Sequence, residues 1–155
     1  MKWSEKYVTG IKRIDDQHKG LFELSDVFRD ALNEGRGERV YSGLLESLHA
    51  YAGIHFCFEE GCIGRCQCAA AEQNVNAHSK FLQGLAVFEE RYTIAGFECA
   101  EAHRLVEFVD HWLADHICRI DMQLKPHPQG ATPAPVAPGP LVSSPLPIPP
   151  GFSLR

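Results

Sequence analysis

The sequence predicts an all-α protein: an antiparallel up-down-up-down four-helix bundle with an N-terminal extended arm and a disordered Pro-rich C-terminal tail. Three observations predict it. Apolar residues recur at steps of three and four through four separate stretches, each of bundle-helix length. The connections between them are short and carry glycine, which turns each helix back along its predecessor. All ten prolines of the 155-residue chain lie at or beyond Pro126, so no proline interrupts the helical stretches. The expected division is therefore a bundle domain over 1–125 and a tail over 126–155.

Residues 1 to 14 read as the arm, because Trp3, Tyr7, Val8 and Ile11 are apolar without helical periodicity and Gly10 interrupts them. Asp15 or Asp16 is placed to cap the next helix, since a short carboxylate accepts from the free amides of a first turn. Along that helix His18, Leu21, Phe22, Ser25, Phe28 and Leu32 form one stripe, ended by Gly35 and Gly37. The second helix runs from about Glu38 to Cys62, with Leu44, Leu45, Leu48, Ala52, His55 and Glu59 inward and a turn over Gly61–Gln67 after it. The third puts Asn74, His78, Phe81, Leu82, Leu85 and Phe88 on one face and stops before Gly96. The fourth, from about Ala100 to Asp121, aligns Leu105, Phe108, Val109, Trp112 and His116. His49, His103 and His111 fall off these stripes and belong to the surface.

Composition excludes several functions. The first 125 residues carry all 20 acidic and 14 of the 15 basic side chains, a net charge of −6, which offers no basic face for nucleic acid. No apolar run approaches membrane-spanning length, and the N-terminus lacks the apolar centre of a signal peptide. A cytoplasmic protein with reduced thiols is expected. The tail is poor in charge, with single apolar residues between prolines, and reads as disordered with polyproline II character; its "SSPLPIPPGF" is a candidate docking segment for a protein partner.

The chemistry centres on His55 and Glu59. Spaced i, i+4, they stack on one helix face and point at one spot. Imidazole with carboxylate suits iron, copper, zinc or manganese, and a carboxylate can bridge two ions. Alternation of helix direction brings the end of the second helix and the start of the third beside the start of the first and the end of the fourth. His18, His55, Glu59, Asn74, His78, His116 and Asp121 then converge at one end of the bundle. Four histidines and two carboxylates buried at one level are costly without a metal, so a dimetal site is the economical explanation. Asp121 lies five residues past His116, about 140° round a regular helix, and reaches the spot only where the helix ends or widens.

With these residues in view the chain resembles the hemerythrins, most closely the single-domain bacterial ones. The resemblance covers roughly residues 3 to 122 and rests on Trp3 with Gly10-Ile11, "IDDQHKGLF" at His18, "HFCFEE" from His55, "HSKF" from His78 and "WLADHICRID" from Trp112. It implies a non-haem di-iron centre, two Fe, that binds O2 reversibly for storage, delivery or sensing. It implies Glu59 and Asp121 as bridging carboxylates, His18 and His55 on the iron with the open position, and His78 and His116 on the other. Leu21, Phe81, Trp112 and Ile117 would line the apolar O2 pocket.

The chain departs from that pattern at Asn74, where the family carries a further histidine. An amide oxygen is a weaker ligand than imidazole, so the second iron is expected to carry a water or a further open position. Two alternatives stay open. A thiolate from Cys62, Cys66 or Cys68 takes the vacated place, or the altered ligand set makes a di-iron oxidase or a peroxide- or nitric-oxide-reactive enzyme. Binding without turnover is favoured, because no extra inward carboxylate resembles the Glu-x-x-His pairs of catalytic di-iron bundles.

Overall fold

The four periodic stretches form four helices: α1 over Lys12–Asn33, α2 over Gly37–Cys66, α3 over Ala71–Ala95 and α4 over Cys99–Arg119. The structure is a computed structural model describing residues 2–66 and 70–124, without the side chains of 64–66 and 124. The Pro-rich segment 126–155 and Cys68 of the expected cysteine turn lie outside the described residues. The helices pack in a ring, α1 on α2, α2 on α3, α3 on α4 and α4 back on α1, as an up-down bundle requires. Among the described residues no helix is long and apolar enough to cross a membrane.

The stripes read from the sequence are largely the buried ones, with Leu82, Phe88, Phe108 and Trp112 half-buried at their edge and Leu113, not among the expected residues, fully inside. Phe28, Leu44, Leu48, Leu85, Leu105, Val109 and Leu113 are each at most 2% exposed and fill the bundle interior. Burial of such side chains, at roughly 1.5–3 kcal/mol each, is the main force holding the helices together. One polar tie joins α1 to α4: Ser25 Oγ donates to Asp110 Oδ1 at 2.7 Å, and the Arg29 guanidinium binds both Asp26 and Asp110.

The turns follow from local chemistry. After Asn33 the chain closes a Schellman motif, with Arg36 N donating to Ala31 O at 2.8 Å and Gly35 N to Leu32 O at 3.0 Å. Gly35 holds φ +70°, the left-handed conformation that glycine adopts without strain. Gly84 serves close approach instead: a Cβ there would lie 2.6 Å from Phe108 Cζ, so its absence lets Phe108 of α4 stack on Phe81 of α3.

Three local expectations are corrected. The arm contains one turn of 3-10 helix, Glu5–Tyr7, which seats Tyr7 in the core against Phe22. Neither Asp15 nor Asp16 caps α1, because the helix begins earlier, at Lys12. Asp15 reaches backwards, accepting from Thr9 N at 2.7 Å, Thr9 Oγ1 at 2.8 Å and Gly10 N at 3.2 Å, and so pins the arm to the first turn. The helix α2 runs four residues beyond Cys62, through Gly61 and Gly64. Ile63, one turn past Glu59 and 2% exposed, continues the buried stripe and outweighs a glycine cost of about 1 kcal/mol each.

Candidate metal centre

All four helices deliver polar side chains to one level of this apolar interior. His18 comes from α1, His55 and Glu59 from α2, Asn74 and His78 from α3, His116 from α4, and Asp121 from the residues just beyond it. None is more than 3% exposed. Asp121 reaches this level because α4 ends at Arg119. Ile120 is the C-cap, its N–H still donating to His116 O at 2.8 Å, and Asp121 begins a turn of 3-10 helix, Asp121–Leu124. Asp121 thus stands beyond the regular helix to which a spacing of about 100° per residue applies.

The side chains divide into two halves around shared carboxylates. His18 Nε2 and His55 Nε2 face each other at 3.2 Å, and His78 Nε2 and His116 Nε2 at 3.1 Å. Asp121 spans the halves, with Oδ2 3.3 Å from His18 Nε2 and Oδ1 3.0 Å from His116 Nε2. Glu59 Oε2 lies 3.1 Å from His78 Nε2, 3.8 Å from His116 Nε2 and 3.9 Å from His55 Nε2. Two buried donor groups result, His18 with His55 and Glu59, and His78 with His116 and Glu59.

This set fits a pair of metal ions. Donors bound side by side on one transition-metal ion, each at about 2.1 Å, lie about 3 Å apart, the spacing these nitrogens and oxygens have. Glu59 Oε1 is buried with no hydrogen-bond partner, and Asp121 Oδ2 makes no hydrogen bond despite its approach to His18. A cation at the focus satisfies such oxygens, whereas apolar packing leaves each at a cost of about 1–3 kcal/mol.

Protonation at the cluster is divided: Glu59 is held ionised and His55 neutral, as metal ligands must be, whereas at His116 a cation has to displace a proton. Burial pushes the Glu59 carboxyl up, but hydrogen bonds from His116 and His78 outweigh it and hold the group well below the usual carboxylate range. Burial lowers the His116 imidazole, yet its hydrogen bonds to Asp121 and Glu59 raise it to about 9. Burial, with the neighbouring His18, lowers His55 to about 3, so its lone pair is free to bind a cation.

Residues outside the predicted set orient the imidazoles. His55 Nδ1 is 3.1 Å from Gln17 Oε1, and His78 Nδ1 is 2.8 Å from Glu60 Oε1. Each contact fixes a ring so that Nε2 points inward. Phe56 stacks on His78 at 3.8 Å between centroids, and Trp112 on His116 at 4.2 Å. Gln17 and Glu60 are sequence neighbours of His18 and Glu59, about 100° round the helix from them, so no periodic signal marks them; Phe56 adjoins His55 in the same way. Of the expected O2-pocket residues, Leu21, Phe81 and Ile117 are each at most 2% exposed, and Trp112 is partly buried against Phe81 at 4.5 Å. Trp3 from the arm lies 6.4 Å from the His18 ring and helps cover that end.

Other expectations fall outside the cluster. His103 and His111 are exposed, and His49 is largely exposed while contacting Glu89 at 3.0 Å. No cysteine enters either donor group among the described residues. Cys57 and Cys118 are exposed and Cys62 is half-buried on α2, while the thiols of Cys66 and Cys68 lie outside the described residues.

Residues 9–127 match the sequence model of the family described as the hemerythrin HHE cation binding domain. The chain belongs to the hemerythrin family. Among its hemerythrin relatives, it is 27% identical over 115 residues to a bacteriohemerythrin of Pseudomonas paraeruginosa, covering 74% of this chain and 72% of that one. It is 24% identical over 123 residues to a hemerythrin-like protein of Naegleria gruberi, 79% of this chain and 89% of the relative. A bacteriohemerythrin of Clostridium acetobutylicum is 22% identical over 125 residues, 78% and 95% of the two chains.

Proposed function

We propose that this hemerythrin domain, residues 1–125, binds O2 reversibly at a non-haem di-iron centre, for storage, delivery or sensing. His18 and His55 would hold one iron, His78 and His116 the other, with Glu59 and Asp121 as the carboxylates shared between them. The observation that carries the reading is the symmetry of the buried cluster: two imidazole pairs, each with nitrogens 3.1–3.2 Å apart, on either side of two carboxylates none of whose atoms reaches solvent.

Two ferrous ions, when bound, would supply the electrons needed to hold O2. The protein's own residues do the rest. Gln17 and Glu60 fix two of the rings, and Glu59 and Asp121 hold negative charge that offsets the cations. Leu21, Phe81, Trp112 and Ile117, with no proton donor other than the Trp112 indole, would limit the access of water and its protons to the centre.

The rival reading is a di-iron oxidase or an enzyme reacting with peroxide or nitric oxide. Asn74, in place of a histidine, is the feature that favours it. Iron-loaded protein exposed to air and then returned to anaerobic conditions separates the two. A carrier shows a visible spectrum that appears and disappears repeatedly, with O2 recovered; continuous consumption of O2 in the presence of a reductant supports the enzyme.

A further inference from the structure

Asn74 stands on the first turn of α3, one helical turn ahead of His78, and is 0% exposed. Its amide reaches the cluster from the side of His78 and His116. Nδ2 lies 3.3 Å from Glu59 Oε2 and 3.4 Å from Asp121 Oδ1, while Oδ1 is buried with no partner. We propose that Asn74 is a positioning residue and not a ligand. It donates its two amide hydrogens to the two carboxylates and leaves the metal position between His78 and His116 open to a small exogenous ligand, water or an anion. This inference rests on the cluster being a dimetal centre.

Three features carry it. Two carboxylates buried together need donors, and the Asn74 amide lies within reach of both; turning the amide over would set its oxygen against two carboxylate oxygens. The two halves then have equal complements, two imidazoles each with Glu59 and Asp121 between them, and no further His, Cys, Asp or Glu among the described residues joins either group. Each ion is thereby left short of a closed octahedron, not one ion alone. The Oδ1 of Asn74 is buried with no partner, an acceptor that a hydrogen bond from an ordered water would satisfy. The contacts from Nδ2 are long, so the amide steers the carboxylates without locking them.

The test is to load the full-length protein with iron, oxidise it, count the iron, and titrate with azide, a small anion that needs an open metal position. Wild type binds two azides per two irons. Asn74→Leu, close to asparagine in shape, also binds two and holds iron about tenfold more weakly, because the carboxylates lose their donor. Asn74→His supplies a ligand to the open position and binds one. One azide per two irons in wild type overturns the inference, and a rise from one to two in Asn74→Leu would identify the amide oxygen as a ligand. Should Asn74→His fail to fold, the wild-type and Asn74→Leu counts decide alone. Absence of bound iron in wild type would refute the dimetal reading itself, a result distinct from a count of one azide.

Discussion

Replacing Glu60 isolates what a carboxylate behind an imidazole does for metal affinity. Glu60 Oε1 accepts from His78 Nδ1 at 2.8 Å, and its side chain is 36% exposed. A hydrogen bond to a charged group contributes about 1.5–3 kcal/mol and a neutral one about 0.5–1.5, so Glu60→Gln, which keeps the shape, forfeits about 1 kcal/mol. Partial exposure screens the charge and keeps the figure at the lower end. Since 1.4 kcal/mol is tenfold, Glu60→Gln weakens iron binding roughly fivefold. Glu60→Ala, which also frees the ring to rotate, weakens it about 10- to 100-fold. Gln17→Ala, behind His55 at 3.1 Å through a neutral amide, has a smaller effect. Chelator competition measures all three, and thermal melting of the metal-free proteins shows whether the fold is intact. Unchanged affinity in both Glu60 variants would refute the idea that ring orientation is set from outside the donor set.

Further predictions follow from burial and charge. Leu113→Ala, at a position 1% exposed, leaves a cavity in the bundle and costs about 2–5 kcal/mol in denaturant unfolding, with the iron spectrum of the folded protein preserved. Ile117→Ala, at a position 0% exposed, lets water toward the cluster and shortens the lifetime of bound O2 in the spectrum without lowering iron content. The metal-free protein is most stable near pH 6.5. His116, raised to about 9, loses its contribution as pH rises from 6.5 through 9; His55, lowered to about 3, stays neutral while the unfolded chain takes up protons below 6.5, so stability also falls on the acid side. Iron loading flattens this dependence, which melting curves across pH would show.

Much of the bundle is legible in the sequence because its periods are unbroken. His55 and Glu59 share a face by their spacing, and the order of helices alone brings His18, His78 and His116 to the same end. What spacing cannot show is where a helix stops. Asp121 looks 140° out of place until α4 ends at Arg119, and α2 looks finished at Cys62 until Ile63 is seen on the buried stripe. The cap at Asp15 misleads for the same reason: one turn's difference in helix start converts a capping carboxylate into a clasp for Thr9 and Gly10. Gln17 and Glu60 escape notice because residues beside an inward ligand read as solvent-facing, though their long side chains bend back to the rings. At Asn74 the sequence shows a missing imidazole, and only the three-dimensional arrangement shows an amide between two carboxylates.

The most direct test of the central claim is the metal content of the purified, iron-loaded full-length protein, taken with its optical spectrum under nitrogen and under air. Two irons per chain are expected, with a visible absorption that comes and goes with O2. A chain that folds into its helices yet retains no iron, with His55→Ala and Glu59→Ala indistinguishable from wild type in metal content, would contradict it.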